Sequence, residues 1–209
     1  MKANHKMMMA ALVGIALSAV TIIVSGGAAL AQDTVRVRGA IESIDGSTYL
    51  IKARDGAELK VALADKAQIA AVVKASLADI KQGLFVGVTA VPQADGSLSA
   101  VEVHIFPEAM RGTGEGHYSW DLRPQSTMTN ANIDQVVTAV DGQTLTLKYK
   151  DGEKKIFVAA DTPIVGYVRG DNNDLKPGAK VFIAAVKQPD GTLQGCAWRV
   201  GRDGVTPPM

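Results

Sequence analysis

The chain has 209 residues, 22 of them basic and 21 acidic, with a formal net charge of +1. This length suits one large or two small domains, and the balance of charge excludes the basic footprint that neutralises nucleic-acid phosphates. Cys196 is the sole cysteine, so no internal disulfide can form and stability must come from hydrophobic cores.

The amino-terminal stretch reads differently from the rest. Lys2 and Lys6 give a positive start, Met7 to Val24 is an uncharged apolar run, and Gly26 and Gly27 break it. Ala29-Leu30-Ala31 then supplies a small-x-small cleavage pattern, so residues 1–31 read as a secretory signal peptide cut before Gln32. The length of the apolar run leaves an uncleaved membrane anchor as the competing reading. No cysteine follows the run to carry a lipid. Without Lys2 and Lys6 the chain has 20 basic and 21 acidic residues, a net charge near −1. No later segment is long and apolar enough to span a membrane. The expected location is the periplasm, with no nucleic-acid partner.

From Thr34 to about Ile44, Val35 and Val37 alternate with Arg36 and Arg38, the pattern of a half-exposed strand. Gly39 inside it suggests a bulge or sharp coil. Asp45-Gly46 turns the chain into Thr48–Ala53, and Asp55-Gly56 turns it again into Glu58–Ala64. Three strands joined by tight turns make a meander. Ala67 to Ile80 is rich in Ala, Lys and Leu and lacks Gly and Pro, which suits a short helix. Its β-branched residues Ile69, Val72 and Val73 leave an extended reading open.

The next stretch, DIKQGLFVGVTAVPQADGSL at Asp79–Leu98, recurs as DLKPGAKVFIAAVKQPDGTL at Asp174–Leu193. Each copy holds a polar turn closed by Gly, an alternating run, an Asp-Gly hairpin turn and a second strand. Asp141-Gly142 and Asp151-Gly152 repeat the two earlier turns, so the meander recurs as well. The order is three strands, a connection, then two strands. It predicts an all-β chain of two tandem OB-like small β-barrels, with the short helix confined to the first. The expected segments are 34–106 and 131–202, a Gly-rich linker at 107–130 and a frayed tail at 203–209.

The pattern carried by Ile80–Gly83, Val86–Ala90 and Asp95–Leu98, and again by Leu175–Gly178, Val181–Ala185 and Asp190–Leu193, resembles a bacterial domain of unknown function with an OB-like barrel. Over nearly its whole length the chain is similar to a group of small exported proteins of Gram-negative bacteria. The segment His104–His117, HIFPEAMRGTGEGH, and Trp120-Asp121-Leu122 carry that likeness. Some of the group bear the label metal ABC transporter permease. A permease needs several membrane spans and this chain has at most one. The resemblance implies the fold and export, and no activity or site residues.

The linker holds the candidate site residues. His104, Glu108, Met110, His117 and Asp121 lie close in sequence. Imidazole with thioether suits copper, and imidazole with carboxylate suits zinc or another divalent metal. Their spacing matches no established metal motif. His104 shares the outward face of its strand with Glu102, so a solvated or hydrogen-bonded role competes with ligation. Tyr118 and Trp120 sit two apart, and in an extended chain both rings point one way. They could stack on an envelope glycan or hold a protein partner. Arg111 and Arg123 flank the glycines and could bind an anion, or pair with nearby carboxylates. The competing role for the aromatics is to pin the linker into a groove between barrels.

Gly112-x-Gly-x-Gly lacks the Lys-Ser/Thr and helix start of a phosphate loop. Cys196 aligns with Val101 on the inward face and reads as a small buried residue. Trp198 matches Val103 and reads as core. No catalytic residues emerge: there is no Ser-His-Asp elbow, His-Glu-x-x-His or supported acid pair. The expectation is a non-enzymatic binding or scaffold protein. The alternatives are metal handling by the linker groups, or an envelope-polymer hydrolase with His117 as base and Asp121 or Glu115 assisting.

Overall fold

A computed structural model describes residues 34–209. The expected signal peptide lies outside the described residues. Twelve strands follow in order: β1 Thr34–Asp45, β2 Thr48–Ala53, β3 Glu58–Lys74, β4 Phe85–Pro92, β5 Leu98–Ile105, β6 Gly116–Ser119, β7 Thr127–Ala139, β8 Gly142–Tyr149, β9 Gly152–Ala159, β10 Ile164–Arg169, β11 Lys180–Lys187 and β12 Leu193–Gly201. The Asp-Gly turns work as the sequence suggests. Gly46, Gly96 and Gly191 adopt positive φ, and the Asp95 and Asp190 carboxylates accept from the backbone N–H two residues on.

The strands close into two five-stranded barrels of OB type. In one, β1 pairs with β2, β2 with β3, β3 in parallel with β12, β12 with β11, and β11 back with β1. In the other the circuit is β7, β8, β9, then β5 in parallel, β4, and back to β7. Each barrel therefore joins the meander of one repeat to the hairpin of the other. The recurring segments 34–106 and 131–202 are real as sequence units, yet neither closes on itself. The reason lies in the connections. The helix expected over Ala67–Ile80 reduces to one 3-10 turn at Leu77–Asp79, because β3 runs on to Lys74. Ile69, Val72 and Val73 favour that extended backbone. The chain is carried across to the second barrel and does not double back onto the first.

The extension of β3 also joins the barrels. Residues 70–74 pair antiparallel with β10, and β10 pairs in parallel with β5. Three apolar clusters result. Val37, Ile51, Val61, Ile183, Trp198 and Val200 fill the first barrel. Val86, Val88, Val103, Ile133, Leu145 and Ile156 fill the second. Val72, Phe85, Phe106, Tyr167, Phe182 and Met209 lie between them.

Trp198 is fully buried, with its ring 5.0 Å from that of Tyr49, as its pattern predicts. Cys196 departs from expectation and is exposed. The ladders of β12 with β11 and with β3 both slip here, one of them between Gly195 and Ala197. The extra residue is a β-bulge, which turns Cys196 off the inward face. Gly39 is not itself a bulge. The slip in β1 falls between Ile41 and Ser43, and a Cβ on Gly39 would stand 2.3 Å from the Lys52 carbonyl oxygen. The linker is shorter than expected, since β6 pairs with the start of β7 over Gly116–Ser119 and Thr127–Asn130. The tail is docked, not frayed: Met209 is 3% exposed, and Arg54 donates to the Pro207 carbonyl at 2.9 Å.

Candidate functional site

The site grows from the β4–β5 hairpin. Six consecutive residues of β4, Phe85 to Ala90, are buried, so both faces of this strand are covered. One face fills the second barrel. The other carries Phe85, Gly87 and Thr89 and looks into the layer between barrels. Cross-strand pairing sets Thr89 against Glu102 and Gly87 against His104. His104 was expected to face solvent with Glu102. They are instead 3% and 1% exposed, because Tyr167, Phe106 and the linker pack on that face.

A carboxylate this deep needs partners. Thr89 Oγ1 donates to Glu102 Oε1 at 2.6 Å, and the His104 Nδ1 position lies 3.2 Å from Oε2. Nδ1 thus faces the carboxyl group and Nε2 turns toward Gly87. The absence of a side chain on Gly87 makes that possible: a Cβ there would stand 2.0 Å from His104 Nε2 and 2.5 Å from Asn130 Oδ1. The imidazole stacks on Tyr167, with centroids 5.0 Å apart and planes at 16°, and Phe106 meets it edge-on. Burial holds the Tyr167 hydroxyl well above its usual pKa, with Arg199 acting in the opposite sense.

Arg199 places its guanidinium carbon 5.2 Å from the Tyr167 centroid. It is 8% exposed and donates to the Trp198 carbonyl at 3.1 Å. It takes part in none of the ion pairs among the described residues. A cation buried this deeply without a counter-ion is unfavourable.

Two straps cover the site. The first is the linker hairpin. Tyr118 and Trp120 pack edge to face at 6.1 Å, Trp120 reaches Phe182, and Arg36 lies over the indole at 4.1 Å. Asn130 donates from Nδ2 to the Tyr118 hydroxyl and the Thr113 carbonyl, which fixes its Oδ1 toward Gly87. The second is the tail, whose Met209 sulfur accepts from the Tyr167 hydroxyl at 2.6 Å. Arg38 ties the straps together, donating to the Met209 backbone oxygen at 2.8 Å and to Asp121 at 2.6 Å. Between them is an open-mouthed cavity of about 110 Å³ whose lining includes His104, Tyr118, Trp120, Asn130, Tyr167 and Arg199. Trp120 Nε1 and Asn130 Oδ1 are buried without hydrogen-bond partners. A groove of about 470 Å³ adjoins, sharing Thr113 and Arg199 with the cavity.

The residues singled out by sequence have separate fates. Tyr118 and Trp120 come together over the cavity, in the groove between barrels. Met110 packs against the same layer. Arg111 turns away, pairing with Glu108 and donating to Asn132 and the Gly83 carbonyl. That hydrogen bond from Arg111 holds the Glu108 carboxyl below its usual pKa. Arg123 is exposed, and its backbone closes the turn with Ser126. His117 Nδ1 meets Thr129 Oγ1 at 2.8 Å, and burial lowers its pKa, with Lys154 adding to the effect. Burial raises the Asp121 carboxyl, but the hydrogen bond from Arg38 and the charges of Arg38 and Arg36 bring it below its usual range. Glu115 accepts from the Lys150 amide. The proposed ligand set of His104, Glu108, Met110, His117 and Asp121 is thus dispersed. Among the described residues no three His, Cys, Asp or Glu side chains converge on a metal-sized site. His117, Asp121 and Glu115 likewise have different partners and form no relay.

Sequence reasoning missed Thr89, Glu102, Asn130, Tyr167 and Arg199. A signal was present. The run Phe85–Ala90 has no charged residue on either face, which marks a strand covered on both sides. Polar residues on the second face of such a hairpin, Glu102 and His104, must then be internal.

Comparison with curated proteins returned no match, and comparison with solved structures returned none. No name among the comparisons supports the metal-transport label. A family model described as a domain of unknown function, DUF5666, matches residues 28–104 and 136–194. Since these segments cover more than half of the chain, the protein belongs to the DUF5666 family.

Proposed function

We propose that this is an exported, periplasmic binding protein that holds a small ligand in the cavity between its two barrels and performs no chemistry on it. One observation carries the reading. Trp120 Nε1 and Asn130 Oδ1 are buried without hydrogen-bond partners, the buried Arg199 guanidinium stands outside every ion pair of the described residues, and all three residues line one cavity. A ligand bearing acceptor atoms would pair with the indole N–H and the guanidinium. The amino-terminal charge, apolar run and Ala29-Leu30-Ala31 support export. Among the described residues no helix is long and apolar enough to cross a membrane.

Binding in this place gives Trp120 a direct role as reporter. The test is tryptophan fluorescence of the purified chain against fractionated periplasmic and envelope extracts, with native mass spectrometry of any responding fraction. The expected result is a saturable change that disappears in Trp120→Phe, with a matching small-molecule adduct. A flat response from every fraction, with no adduct on protein purified directly from the periplasm, would overturn the reading.

A further inference from the structure

The cavity is chemically lopsided, and that narrows its occupant. One end is cationic. Arg199 is more than nine-tenths buried, donates to the Trp198 carbonyl, lies against the Tyr167 ring and is outside every ion pair of the described residues. Glu102 is committed elsewhere, to Thr89 at 2.6 Å and His104 at 3.2 Å. The rest of the wall is largely aromatic: Phe106, Trp120, Tyr167 and Phe182. The remaining piece is the Met209 side chain. It belongs to a tail without regular secondary structure, while Phe106, Trp120, Tyr167 and Phe182 sit within or immediately beside strands.

Size and charge point the same way. A cavity of about 150 Å³ admits benzene. The space here is about 110 Å³ with the methionine in place, and withdrawing that flexible side chain brings it to the benzene scale. A carboxylate against a buried guanidinium forms two parallel charge-assisted hydrogen bonds and removes the unpaired charge. We infer, building on the binding site proposed above, that the cavity takes a small organic carboxylate. Its anionic head meets Arg199, and its apolar body, no larger than a benzene ring, replaces the Met209 side chain among the aromatic rings. The groove shared through Thr113 and Arg199 is the way in. Displacing the Met209 side chain also removes the sulfur that accepts from the Tyr167 hydroxyl.

The test uses benzoate as the probe and benzamide as its neutral isostere, titrated by calorimetry into the full chain and its Met209→Ala variant. Benzoate is expected to bind Met209→Ala more tightly than the unaltered chain, and benzamide more weakly than benzoate. In the Met209→Ala background, Arg199→Gln should weaken benzoate by about thirtyfold or more, the scale of a lost buried charge contact, and leave benzamide unchanged. Arg199→Lys, which retains the charge, should recover part of the loss. Thermal unfolding establishes that each variant is folded. Equal binding of the two probes, unaffected by Arg199→Gln, would overturn the carboxylate assignment and leave the binding-protein reading intact. Failure of both probes, with an extract fraction still acting through Trp120, would do the same. Failure of both probes and of every extract would overturn both.

Discussion

Exchange of hairpins between barrels makes the two halves of the chain inseparable without unfolding. A protease recognition site inserted after Gly112, at the exposed tip of the linker, cuts the covalent path between them. The fragments then remain joined by seven register pairs of β1 with β11, eight of β3 with β12 and six of β4 with β7. Val181, Ile183, Trp198 and Val200 fill the first barrel from the second fragment, while Ile80, Val86, Val88 and Val103 fill the second barrel from the first. At about 1.5–3 kcal/mol for each buried side chain, this set contributes on the order of 12–24 kcal/mol. The opposing loss of translational and rotational freedom is roughly 4–15 kcal/mol. The fragments should therefore stay associated at micromolar concentration. Size-exclusion chromatography and native mass spectrometry of the cut protein should show one species of full mass, separating only in concentrated guanidinium. Two folded species separating in native buffer would show that each hairpin closes its own repeat, and would refute the topology.

Other substitutions probe the site and the cores. Gly87→Ala drives a methyl group against His104 and Asn130, and should lower stability by about 1–3 kcal/mol in urea unfolding, the usual scale of overpacking, while perturbing Trp120 emission. Glu102→Ala leaves Thr89 and His104 buried without their partner and should cost about 2–4 kcal/mol; Glu102→Gln should cost less in the same titration. Trp198→Ala empties the middle of the first barrel and should cost about 3–5 kcal/mol. The pH dependence of the melting temperature tests His117. Its folded pKa lies below the unfolded value of 6.5, chiefly through burial, so its contribution is present above that value and is lost as the pH falls through the folded pKa. His117→Gln should flatten that slope, and an unchanged slope would assign the acid sensitivity to other groups.

Much of the fold is legible in the residues. Paired Asp-Gly turns, alternating runs and their recurrence give the strand order, the OB-type barrels and the buried place of Trp198. What the repeats cannot say is which hairpin closes which meander, because Val86–Val88–Ala90 and Val181–Ile183–Ala185 present nearly the same inward face to either. That choice rests on whether the connection is bent or extended. Ala-rich composition and the β-branched residues of 67–80 pull in opposite directions, and tertiary pairing with β10 decides between them. The site was half legible for the same reason. Tyr118 and Trp120 stand out by composition. Glu102 and His104 look outward only if the hairpin's second face meets water, and the exchanged topology buries it. Cys196 fails more locally, since a single bulge reverses the alternation that would have placed it inside.

The exchange also explains why Arg199 has no counter-ion. The two repeats are related by a pseudo-two-fold through the pair Val72–Tyr167, where β3 and β10 pair residue for equivalent residue. The same relation maps the pairing of Val165 with His104 onto that of Ala70 with Arg199. Equivalent positions, 104 and 199, thus approach Tyr167 from the two halves, and both line the cavity. Around His104 the first hairpin keeps Gly87, Thr89 and Glu102, which respectively make room, donate and accept. Around Arg199 the corresponding residues are Phe182, Ala184 and Ala197, so the second hairpin offers an aromatic wall and no carboxylate. One side is therefore self-satisfied, and the other carries a buried cation outside every ion pair of the described residues. A counter-ion for that cation has to come from outside the second hairpin, and the pocket lined by Met209 is the space beside it.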